Sequence, residues 1–172
     1  MTRYELSLID NKAYKLHKEL KQEIPIKTFY TLIESLGGKL EKSDLIEDAH
    51  IEKYNNNFII RVNKNNSDLR NNFSIAHEIG HLILHMGYNP KEKKFEKDFE
   101  DNKIYYRYGN SREEYEANEF AGAFLMPESK FIEIVNNSTN NEKSCIINKV
   151  SRYFNVSNQA VISRGKFLGI FS

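Results

Sequence analysis

The segment 72–85, NFSIAHEIGHLILH, demands a helix around which the rest of the chain must be built. Phe73, Ala76, Ile79, Gly80, Ile83 and Leu84 recur at helical intervals and form one apolar stripe, enough to lie inside a fold. Gly87 and Pro90 supply the stop signals. The same helix carries His77-Glu78-Ile79-Gly80-His81, an H-E-x-x-H pattern. Residues four apart are displaced by ~6 Å along a helix axis and share a face, so two imidazoles can converge on one ion. Neutral imidazole suits Zn²⁺, and the intervening Glu78 projects to one side, where it can reach a water held by that ion. The alternative is a solvated histidine pair with Glu78 as a surface charge. His85 continues the spacing, but at ~12 Å along the axis from His77 it is too far to share the ion. It is read as a neighbour of the site, a substrate contact or an exposed residue. His17 and His50 stand in segments without ligand spacing.

A third ligand is expected from segment 111–127, SREEYEANEFAGAFLMP, read as a helix over 112–125. Glu114 and Asn118 are one turn apart, so the first can complete a metal site while the second bonds the far nitrogen of a ligating histidine. The competing reading makes Ser111 and Glu114 a capping box, and Glu113, Glu116 and Glu119 ordinary surface carboxylates. Ala117, Ala121, Gly122 and Ala123 are small, which lets this helix pack closely on the His-Glu-His helix.

The remainder of the chain predicts an α+β fold. Residues 4–23 read as an amphipathic helix, and a second begins with Pro25 in its first turn and ends at Gly37-Gly38. His50–Tyr54 and Phe58–Val62 flank Asn55-Asn56-Asn57, a hairpin signal because Asn tolerates the positive φ of tight turns. Residues 91–104 are a charged, solvated stretch, and a short helix runs from Met126-Pro127 through Val135. At 172 residues, about 70% of the unfolded surface can be hidden without disulfide support. The single cysteine, Cys145, excludes an intramolecular disulfide and any Cys-rich zinc module. With 25 basic and 24 acidic residues the net charge is +1, so no whole-chain field attracts nucleic acid or membrane. No apolar run reaches the ~18 residues of a membrane span, and the charged N-terminal segment has no signal-peptide core, so a cytoplasmic protein is expected.

Taken together, HEIGHLILH followed by E-x-E-A-N-x-F-A-x-x-F-L-M-P resembles the ImmA/IrrE family of metallopeptidases of bacteria, phages and mobile elements. The resemblance covers about Phe58 to Pro127 and, more weakly, the C-terminal segment. It implies a mostly helical zincin-like core with a small antiparallel sheet; the Asn-rich stretch 136–143 marks the boundary, giving a core over residues 1–135 and a helical, helix-turn-helix-like unit over 136–172. It further implies Zn²⁺ bound by His77, His81 and Glu114, Asn118 supporting a ligating histidine, and Glu78 as catalytic base of a gluzincin-like endopeptidase. Helix geometry agrees on the third ligand. Glu114 and Glu116 point ~200° apart, and Asn118 lies one turn beyond Glu114 whereas Phe120 lies beyond Glu116. An oxyanion donor is not legible; Tyr105, Tyr106, Arg107 and Tyr108 qualify only by preceding Glu114.

Segment 144–170 reads as helix, turn, helix, with Ile146, Ile147, Val150 and Phe154 as one stripe and Ser157 as the cap of the second helix. Lys143, Lys149, Arg152, Arg164 and Lys166 make a thin footprint for DNA, and a packing element or substrate-docking surface is the stronger reading. Family members are associated with cutting helix-turn-helix repressors, often encoded beside the protease, so such a repressor is the implied substrate and transcriptional derepression the implied outcome. The rival class is a non-proteolytic metal-binding regulator that engages a repressor or DNA.

Overall fold

Thr2 opens the first helix with a capping box. Its hydroxyl accepts from the Glu5 amide, and the Glu5 carboxylate accepts from the Thr2 amide. Helix α1 then runs Arg3–Leu20 and stops at Lys21, whose left-handed backbone (φ 48°) ends it earlier than sequence periodicity suggests. The computed structural model describes residues 2–96, 112–138 and 142–171.

The second helix, α2 (Phe29–Ser35), does not contain Pro25. Residues 26–28 are not helical, with Ile26 packed on the core and Thr28 in extended backbone (φ −149°, ψ 128°) before the helix starts. Gly37 (φ +90°) and Gly38 do end it, and at Gly38 the Phe58 ring lies where any Cβ would sit, 2.4 Å away. The expected hairpin forms as β2 (Ala49–Tyr54) against β3 (Asn57–Asn63), with Asn55 at φ 54° in the turn. A strand not anticipated from the sequence, β1 (Lys39–Ser43), joins the other edge of β3 in parallel, giving the order β1-β3-β2.

Helix α3 (Asp68–Leu84) begins one turn earlier than its apolar stripe, because Ser67 accepts from the Arg70 amide and caps it there. It packs on β2 and β3 on one side and on α4 (Arg112–Leu125) on the other. Part of the charged stretch is structured: β4 (Tyr88–Asn89) pairs with β5 (Lys94–Phe95). The rest of that stretch, from residue 97, lies outside the described residues, as do Tyr105, Tyr106, Arg107, Tyr108 and Ser111.

Helices α5 (Glu128–Asn136), α6 (Lys143–Phe154) and α7 (Asn158–Phe167) complete the chain, the last capped by Ser157 accepting from the Ala160 amide. Arg164 of α7 forms a forked pair with Asp10 of α1, at 3.0 and 2.8 Å. The core gathers Phe58, Phe120, Phe124 and Phe131 with Ile60, Ile79 and Leu82, all fully buried. Burial of each such side chain stabilises the fold by roughly 1.5–3 kcal/mol. His17 belongs to this core: its Nε2 donates to the Phe124 carbonyl at 2.6 Å, and its ring stacks on Phe124. No helix among the described residues is long and apolar enough to cross a membrane.

Candidate metal centre

The close approach of α3 and α4 rests on two residues without bulk. A Cβ at Gly80 would meet the Cα and the carbonyl oxygen of Ala117, each at 3.1 Å, so the helices touch almost backbone to backbone there. Ala117 is the small residue of α4 that faces α3 at this contact. Gly122 is not; the side chain nearest to it is Arg164 of α7. Tight contact at Gly80 sets the first turns of α4 beside the histidines of α3.

His77 and His81 project from one face of α3, as four-residue spacing requires, and both are buried. Glu114 arrives from α4. Its Oε2 lies 3.3 Å from His77 Nε2, its Oε1 lies 3.1 Å from His81 Nε2, and the two Nε2 atoms are 2.9 Å apart. These three residues, two histidines and one carboxylate, form a cluster able to hold an ion. Ligand atoms ~2.0–2.1 Å from a tetrahedral centre lie ~3.4 Å from one another, so the observed spacing is near that of a tetrahedral face. Glu78, on the adjoining position of α3, is fully buried.

The outer nitrogens of both histidines decide which protons they carry. Asn118 Oδ1 lies 2.8 Å from His77 Nδ1, and a carboxamide oxygen only accepts. Nδ1 of His77 therefore carries the hydrogen and its Nε2 presents a lone pair to the cluster. On the other side His81 Nδ1 is 3.0 Å from His85 Nδ1, and His85 Nε2 is 3.1 Å from Glu116 Oε2. Burial raises the Glu116 carboxyl, but hydrogen bonds from Arg112 and His85 outweigh it and hold the group below its ordinary range, as an acceptor. His85 then donates through Nε2, accepts at Nδ1, and leaves His81 Nε2 bare as well. Two lone pairs 2.9 Å apart beside a carboxylate repel unless a cation lies among them. The donor set, two imidazole nitrogens and one carboxylate oxygen, suits a zinc-type ion.

Reasoning from sequence offered His85 as a neighbour of the site but missed the chain Arg112–Glu116–His85 that holds it against His81. A signal existed, since Arg112 and Glu116 are four apart on α4 and His85 follows His81 by four on α3. What sequence could not supply was the pairing of those two faces. The Glu116 carboxylate stands outside the three-donor cluster. His50 is not part of it; its Nδ1 lies 2.8 Å from Glu47 Oε1.

The family described as Peptidase_M78, IrrE N-terminal-like domain, matches residues 29–165, a span that includes every residue of the cluster. No curated protein matches the chain.

Proposed function

The chain belongs to the IrrE N-terminal-like peptidase family, and on that premise we propose that it is a cytoplasmic zinc-dependent endopeptidase whose substrate is a helix-turn-helix repressor of a phage or mobile element. Family membership supports a metallopeptidase acting on protein. The observation that carries the reading to this chain's own residues is the convergence of His77, His81 and Glu114.

His77, His81 and Glu114 would hold the ion, with Asn118 and His85 keeping both Nε2 atoms bare toward it. When bound, a Zn²⁺ ion there supplies a Lewis acid for the scissile carbonyl and acidifies a water. Glu78 takes the proton of the attacking water and passes it to the leaving amine. Its burial keeps that proton exchange away from bulk solvent. Two basic residues of α6 and α7 are engaged within the fold, which favours a packing role over DNA reading. Arg164 is committed to Asp10, and Lys149 donates to the Asn137 carbonyl at 2.5 Å.

Glu78→Gln separates protease from regulator. The variant is expected to keep its fold and its metal and to lose cleavage of the neighbouring repressor and of casein, because an amide cannot take the proton. Cleavage at the wild-type rate would remove the general-base role. Repressor inactivation without cleavage would favour the non-proteolytic regulator.

A further inference from the structure

We propose that the cavity between α4 and α7 is a subsite that receives a basic side chain of the substrate close to the scissile bond. The inference rests on the peptidase reading above and adds a substrate class to it.

The cavity encloses about 410 Å³ and is walled by Phe73 of α3, by Tyr115, Asn118 and Glu119 of α4, and by Ala160 and Arg164 of α7. That volume lies within the range of ligand pockets and exceeds what one long side chain needs. Its place relative to the cluster is set by Asn118, which lines the cavity and accepts from His77 Nδ1 at 2.8 Å. Phe73 stands one helical turn before His77 on α3. One carboxamide and one imidazole thus separate the cavity from the three donors.

Charge decides what it accepts. Among the described residues, the charged groups lining it are Glu119 and Arg164. Arg164 is 3% exposed and committed, with NH1 and NH2 on Asp10 at 3.0 and 2.8 Å and Nε donating to the Met126 carbonyl at 3.1 Å. Its pair with Asp10 is neutral as a unit, which leaves the Glu119 carboxylate as the net charge of the cavity. Burial, with a smaller contribution from the Asp10 carboxylate, holds the Glu119 carboxyl above its ordinary range, and Arg164 and a hydrogen bond from Tyr115 offset this only in part. A substrate cation entering there replaces the hydration that burial removes. Phe73 and Ala160 offer apolar wall to the methylene stem of a Lys or Arg side chain. Gly122 keeps the space open, since the nearest atom a Cβ would meet is Arg164 Cδ at 3.8 Å.

The test uses the zinc-loaded full chain and a peptide library made with a Glu-specific protease, so that Lys and Arg remain internal. Cut sites are read by mass spectrometry. The expected profile shows Lys and Arg enriched at a single position within two residues of the cut. Glu119→Gln reduces that enrichment at least tenfold, Glu119→Lys turns the preference acidic, and Gly122→Leu moves it to small residues. A wild-type profile without basic enrichment overturns the proposal, as does enrichment that survives Glu119→Lys. A second measurement does not need turnover. Titration with n-butylammonium should give saturable shifts, at the amides of Ala160 and of Ser163, which also lines the cavity, that Glu119→Gln abolishes and n-pentanol does not produce. Equal shifts with n-pentanol overturn the charge selection. If the wild type cuts no peptide, the peptidase reading falls, and this titration alone decides what the cavity takes.

Discussion

Asn118 Oδ1 stands 2.8 Å from His77 Nδ1, and this contact fixes the one histidine while His85, 3.0 Å from His81 Nδ1, fixes the other. The two histidines of one motif are therefore oriented from two different helices. Asn118 belongs to α4, and His85 follows the last turn of α3.

Removing either support should cost metal affinity. Asn118→Ala and His85→Phe are each expected to weaken Zn²⁺ binding by ~10–100-fold with the fold intact. Competition against a chromophoric chelator measures this. Unchanged affinity in both variants would show that the outer nitrogens do not set the site.

Glu114 and Glu116 should separate cleanly. Glu114→Ala removes a donor and is expected to abolish stoichiometric Zn²⁺ retention. Glu116 acts only through His85, so Glu116→Ala should lose no more affinity than His85→Phe. Metal analysis after gel filtration, with all three variants in parallel, decides it; retention by Glu114→Ala with loss in Glu116→Ala would reverse the ligand choice.

Gly80→Ala tests the helix contact beneath the site. A methyl at that position meets the Ala117 backbone at 3.1 Å, which cannot move as a side chain can. Forcing α4 away is expected to lower stability by about 1–3 kcal/mol and to weaken zinc binding, because Glu114 travels with α4. Denaturant unfolding together with metal titration reads both effects. An unchanged midpoint would mean that the helices have room to spare.

His17 supplies a pH dependence away from the metal. Burial holds its pKa below the ordinary 6.5, against the opposing bond to the Phe124 carbonyl. As pH falls through about 6.5 the unfolded chain takes up a proton that the folded one refuses, so this stability is present above 6.5 and lost below it. His17→Gln has no such proton to refuse. Between pH 7.5 and 5.5, at saturating chelator, the wild type should lose more stability than the variant. Parallel losses would exclude His17 as the cause.

What sequence alone determined about this protein is local. Apolar positions at helical intervals placed His77 and His81 on one face of a buried helix, because that geometry depends only on a spacing of four. Asn55-Asn56 specified the hairpin turn, since few residues accept the positive φ found at Asn55. Tertiary structure decided what has no local period. The parallel strand β1 reaches β3 across about twenty residues, and nothing in the composition of Lys39–Ser43 signals a partner. Helix geometry alone turns Glu116 away from Glu114, yet the bond of Glu116 to His85 depends on two helices meeting at Gly80 and Ala117. Likewise Gly122, small in the same run as Ala117, opens onto Arg164 instead of α3. A helical repeat states which residues share a face; only packing, a sum of contacts between segments far apart in the chain, states what each face meets.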